Sequence, residues 1–216
     1  MNRRTGYLEG YNGMQVSYTY LEHKEPSTKL AFIFPGLGYT AQAPLLYYST
    51  SLFVKNGYDV VHVNYDYQSA PFSSFSQEEK QSCMKYNAET IIDVFHSEKY
   101  SETLFVGKSI GTLSICISLE YFLPNKIIWL TPLINRDDVY EKMLNSHIPS
   151  LTIIGDQDPC YIREKWELYK NVHQTHLVRG ANHSLDIGVN PFESIKILED
   201  VISVINEFLE ENDKKL

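Results

Sequence analysis

Apolar positions along this 216-residue chain switch repeatedly between two periods, one of strands and one of helices. Gln15 to Leu21 alternates apolar and polar side chains, the pattern of a strand with one wet face, and a shorter strand is expected before it at Thr5 to Glu9. Lys29 to Phe34 is nearly continuous in apolar residues and runs into Pro35-Gly36-Leu37-Gly38, which reads as a strand buried on both faces entering a loop. Pro44 to Lys55 then has helical spacing and stops at Asn56-Gly57. Asp59 to Tyr65 is the next strand, and an irregular aromatic stretch follows from Asp66 to Phe75. Ser76 with Glu79 three residues on marks a capped helix start, and that helix is expected to reach about His96.

Thr103 to Val106, Lys126 to Leu130, Leu151 to Ile154 and Thr175 to Val178 are further short strand patterns. Helices are expected between and after them, at Ile110 to Phe122, Val139 to Leu144, Ile162 to Lys170 and Pro191 to Leu209, with Glu207 to Leu216 as a fraying end. Strands separated by helices at this spacing build βαβ crossovers, so the expected fold is α/β, a mostly parallel twisted sheet of about seven to eight strands with helices on both faces. No linker, repeat or low-complexity tract divides the chain, and residues 1–216 read as one domain. A chain of this length buries about 70% of its unfolded surface without staples. Only about twenty residues separate Leu130 from Leu151, room for one short crossover helix and no cap domain.

Composition narrows the function classes. The chain is 43% hydrophobic and 21% charged, as soluble enzymes are, and its net charge of −8 gives no basic face for nucleic acid. Its three cysteines, Cys83, Cys116 and Cys160, share no metal-ligand spacing and make no disulfide framework. No apolar run is long enough to span a membrane and no apolar segment backs Arg3 and Arg4, so a cytoplasmic location is expected. Nothing in the pattern implies a metal or an organic cofactor, and the number of subunits is left open.

The candidate chemistry gathers where strands end. Thr103 to Val106 runs into Gly107-Lys108-Ser109-Ile110-Gly111 and then a helix, the G-x-S-x-G pattern in a strand–turn–helix context. Such a turn presents a serine hydroxyl at the top of a sheet, and glycine two residues before and after avoids collision with neighbouring backbone. A serine hydroxyl is a weak nucleophile until a positioned base takes its proton. Leu151 to Ile154 ends in Gly155-Asp156-Gln157-Asp158, with two carboxylates past the strand, and Thr175 to Val178 is followed by Gly180-Ala181-Asn182-His183. Of the seven histidines only His183 sits after a strand and a glycine and before the closing helix; His62 lies within a strand and the others in segments expected at the surface.

With these motifs in this order the chain resembles the α/β-hydrolase family over nearly its whole length. The resemblance implies Ser109 as nucleophile, His183 as base and, by the strand-G-x-x-D pattern, Asp158 as the acid, with Asp156 capping the turn. It also implies an oxyanion hole from the backbone N–H groups of Leu37 and Ile110, although Pro35 stands where the family more often has histidine. Lys108, where the family often carries histidine or another polar residue, is expected to be solvated or hydrogen-bonded, and Cys160 to pack. Tyr39, Tyr65, Tyr67 and Phe72 follow strand ends and are candidates to line a substrate pocket. The implied activity is hydrolysis of a small-molecule carboxylic ester or thioester through an acyl-enzyme. The alternatives are a non-catalytic binding domain of the same fold, or a hydrolase of amide, peptide or C–C bonds.

Overall fold

The computed structural model of the chain describes residues 1–213. Its strands are β1 (Asn2–Glu9), β2 (Gln15–Glu22), β3 (Lys29–Phe34), β4 (Tyr58–Asn64), β5 (Glu102–Lys108), β6 (Lys126–Leu130), β7 (Ser150–Gly155) and β8 (Gln174–Val178). They form one eight-stranded sheet in the order β1-β2-β4-β3-β5-β6-β7-β8. The first two strands pair antiparallel with each other and with β4, and every pairing from β4 to β8 is parallel. The helices are α1 (Pro44–Lys55), α2 (Ala70–Ser74), α3 (Gln77–Phe95), α4 (Ile110–Ser118), α5 (Asp137–Leu144), α6 (Arg163–Tyr169) and α7 (Pro191–Asp213).

The continuous apolar strands are continuous because both their faces are covered. On β5, Phe105 faces the layer of α3 to α6, whereas Leu104 and Val106 face α1 and α7; on β6, Trp129 and Ile128 divide the same way. Each strand thereby feeds two cores at a period of two residues.

Differences from the expected elements are local. The first strand begins at Asn2 because its whole length pairs with β2, despite an exposed first half. Helix α4 stops at Ser118 instead of Phe122, since Glu120 and Tyr121 donate three residues back and tighten the last turn ahead of Pro124. The aromatic stretch expected to be irregular holds the five-residue α2, with Pro71 in its first turn. The capping box of α3 is formed as expected, Ser76 and Glu79 bonding each other's backbone N–H. Helix α7 continues to Asp213, and the rest of the expected fraying end, 214–216, lies outside the described residues.

Buried charge sits at the amino end of the parallel strands. Asp59 is fully buried and accepts from Tyr100 Oη at 2.7 Å, Tyr20 Oη at 3.1 Å and the His23 N–H at 2.8 Å. Glu102 pairs with Lys126 at 2.9 Å and accepts from Tyr58. Each carboxylate is neutralised or saturated by donors, which is the condition for leaving it out of water.

His62, on β4, is 3% exposed, and its Nε2 lies 2.9 Å from Thr50 Oγ1 of α1. Burial, helped by Arg3, pushes its imidazole down to about 4. The unfolded chain therefore binds a proton near pH 6.5 that the native state refuses, and stability is lost as pH falls from 6.5 toward 4. Between pH 7 and pH 5 this one group should remove about 2 kcal/mol. Urea unfolding at the two pH values should show that loss in the parent and lose that component in His62→Gln; equal losses would show that His62 is not a buried neutral imidazole.

Candidate active site

Ser109 follows β5 directly and has φ +54° and ψ −118°, a conformation that L-residues rarely adopt. Two glycines make this turn possible. A Cβ on Gly111 would lie 1.9 Å from the carbonyl oxygen of Phe34, and one on Gly107 would meet the Gly111 carbonyl at 2.8 Å. The Ser109 N–H donates to Leu130 O at 3.1 Å, which ties the turn to β6. Strand and helix are thus clamped from both sides, and the hydroxyl is half-buried at the carboxyl edge of the sheet.

A second pair of loops brings an acid and a base to that hydroxyl. Gly155 ends β7, and a Cβ there would lie 2.0 Å from Ala181 O, so only glycine lets the loop after β8 approach. Asp156 N–H bonds Val178 O and Gln157 N–H bonds Ala181 O, stitching the two loops together. His183 then stands with Nε2 2.8 Å from Ser109 Oγ and Nδ1 2.8 Å from Asp158 Oδ2. The other oxygen of Asp158 accepts the Cys160 N–H at 2.8 Å, and the residue is 4% exposed. Asp156 instead accepts the Gly180 N–H at 2.7 Å and makes no contact with the imidazole, so of the two carboxylates it is Asp158 that meets His183.

The β3–α1 loop closes between Gly36 and Tyr39, and the Gly36 Cβ position lies 3.4 Å from Ser109 Cβ. Among the described residues neither the Leu37 N–H in that loop nor the Ile110 N–H at the first position of α4 has a backbone acceptor.

The four candidate aromatics are dispersed. Tyr39 lines an open cleft of about 490 Å³ with Leu45, Ser184, Leu185, Val189 and Ile195, between the β3–α1 loop, the loop after His183 and the start of α7. Tyr65 and Tyr67 stack at 4.0 Å and line a smaller hollow of about 200 Å³ beside Leu37, with Tyr65 donating to Pro35 O. Phe72 is buried behind Tyr67 at 4.5 Å and packs in the core.

The pattern of the sequence did not disclose three further contributors. Asn182 folds the histidine loop by accepting the N–H groups of Ser184 and Asp186 on its side chain, an Asx turn for which Asn ahead of His is the available signal. Cys160 comes within 4.8 Å of the donor atoms of Asp158 and His183. Burial, reinforced by the Asp158 charge, pushes its thiol up to about 11, so at neutral pH it is protonated and no thiolate nucleophile or ligand. Lys108 is 1% exposed and takes the hydrogen-bonded alternative, with Nζ bonded to Thr131 Oγ1 at 3.0 Å and to the His183 carbonyl at 2.8 Å.

No protein-family model matches the sequence, and no curated protein matches it. Solved structures do. A putative α/β hydrolase of unknown function from Agrobacterium tumefaciens is similar with a TM-score of 0.76 at 18% identity, covering 98% of this chain and 97% of that one. A lidless α/β serine hydrolase from Xanthomonas campestris aligns with a TM-score of 0.71 at 15% identity, over 97% and 94% of the two chains. The esterase Est1E from Butyrivibrio proteoclasticus gives 0.72 at 15%, over 96% and 98%. The fold is that of the α/β hydrolases without a lid.

Because α4 touches β3 through Gly111, Gly111→Ala should destabilise the protein by about 2 kcal/mol or more. A shift in the urea midpoint measures it, and an unchanged midpoint would mean that the helix has room to retreat.

Proposed function

We propose that this chain is a serine hydrolase that cleaves a carboxylic ester or thioester through an acyl-Ser109 intermediate. The observation that carries the reading is the unbroken relay from Ser109 Oγ to His183 to Asp158, each link 2.8 Å, starting from a serine at φ +54°. His183 Nε2 takes the serine proton as Oγ adds to the acyl carbon. The oxyanion that forms is met by the N–H groups of Leu37 and Ile110, and the protonated imidazole then gives its proton to the departing alcohol or thiol. Water repeats the sequence on the acyl-enzyme and releases the acid. Asp158 holds Nδ1–H and offsets the imidazolium charge. No step calls for a metal or cofactor.

An esterase reading is supported further by the named esterases that share the fold, one of them bound to ferulic acid. The apolar cleft beside Tyr39 and Ser184 is the natural seat for the organic part of the substrate. With no cap over it, small or flexible acyl groups are the expected substrates.

A fluorophosphonate probe should attach to Ser109, located by mass spectrometry of the labelled peptide, and Ser109→Ala should not label. Equal labelling of the variant would end the assignment. Asp158→Asn should lower kcat by about 10⁴, as loss of the orienting acid does in serine proteases, and Asp156→Asn by far less. The reverse order would exchange their roles. Across p-nitrophenyl esters of increasing chain length the rate should show no jump above the substrate's solubility limit; activation at that limit would contradict an open site.

A further inference from the structure

Lys108 is a buried ionisable group that the reaction as described leaves unused. It directly precedes the nucleophile, yet its side chain turns away from solvent toward the base. Its Nζ joins two elements, bonding the His183 carbonyl after β8 and Thr131 Oγ1 after β6. The ring of Tyr39, from the β3–α1 loop, lies under it with its centre 4.3 Å from Nζ. Thr131 is itself held at φ +42°, with its N–H on Ile153 O at 2.7 Å. A leucine or methionine would fill this space without the cost of desolvating an ammonium, so the charge and its two bonds call for a reason.

Asp158 from the β7–α6 turn and Asp186 from the loop before α7 attract the ammonium, as does the Cys160 thiol when ionised; Tyr39 and Thr131 complete the shell without formal charge. Burial outweighs those attractions and pushes the lysine down to about 8, so it is mostly charged at neutral pH and loses its charge just above.

Resting on the serine-hydrolase reading, we propose that Lys108 is a positioning residue for His183, tethering its carbonyl so that the imidazole bridges Ser109 and Asp158. The tether sets the geometry of proton transfer. Lysine suits the task because Nζ carries three donors, enough for Thr131 and the His183 carbonyl together.

The test is the proton NMR signal of the His183 Nδ1–H in Ser109→Ala, which needs no substrate and so stands apart from the question of what the enzyme cleaves. That N–H should give a resolved, exchange-protected signal through its bond to Asp158, and adding Lys108→Met should broaden or remove it. In the otherwise native enzyme Lys108→Met should lower kcat about 10-fold or more with little change in KM. A merely structural lysine would leave the His183 signal where it is. A folded Lys108→Met with unchanged signal and kcat overturns the proposal. Should Lys108→Met fail to fold, Lys108→Gln is read in the same way, and an unchanged signal and kcat there overturn it. Loss of fluorophosphonate labelling with the signal's dependence on Lys108 intact would count against the hydrolase reading and leave the tether standing.

Discussion

The closest constraint in the molecule is the contact of α4 with the end of β3, where Gly111 leaves no room for even one methyl group against Phe34 O. Everything at the carboxyl edge depends on that approach. It fixes α4, whose first residue Ile110 follows Ser109 directly. A helix displaced by the width of a methyl would carry Ile110 away from the β3–α1 loop, whose Gly36 Cβ position lies 3.4 Å from Ser109 Cβ. The strain at Ser109 persists because β3, β5, β6 and α4 all specify it together.

The two edges of the sheet handle polarity in opposite ways. At the amino edge the buried carboxylates of Asp59 and Glu102 are saturated with donors. At the carboxyl edge the Ser109 hydroxyl lies 2.8 Å from His183 Nε2, and among the described residues the Leu37 and Ile110 N–H groups have no backbone acceptor. Parallel strands favour this division, since every loop that carries a functional group leaves from the same edge. The charge of Lys108 is the exception that sits close to the reactive side, and its bonds run to the base's own backbone.

Much of this was legible in the sequence, for physical reasons that differ by residue. The parallel strands read correctly because burial on both faces writes a continuous apolar run, and the spacing of Gly107, Ser109 and Gly111 answers a steric demand of the strand–helix turn on which they stand. Asp158 and His183 meet in the structure because glycines at 155 and 180 announce where loops turn close to one another. Of the two readings open for Lys108, solvated or hydrogen-bonded, the structure shows the second, a choice that rests on where Thr131 and the His183 carbonyl stand in space. The aromatics after β4 could not be sorted either. Tyr65, Tyr67 and Phe72 have the same character in sequence, but Phe72 lies behind the stack and Tyr65 in front of it, a distinction only the packing of α2 creates.

The short connection between β6 and β7 settles what kind of specificity such a site can have. Between Leu130 and Ser150 the chain builds only α5, so no element arches over Ser109 from that side. For the proposed hydrolase, selection among substrates falls to groups at the rim, the β3–α1 loop carrying Tyr39 and the segment from Ser184 to Ile195 that forms the opposite wall of the cleft. Val189 and Ile195 on that wall are largely exposed, so it offers apolar surface without enclosing it. An open apolar wall discriminates weakly, by about 1 to 3 kcal/mol per methylene at most, whereas a relay of the proposed kind demands fixed geometry. Rigidity is therefore concentrated at Ser109, His183 and Asp158, and latitude is left to the open wall beside them.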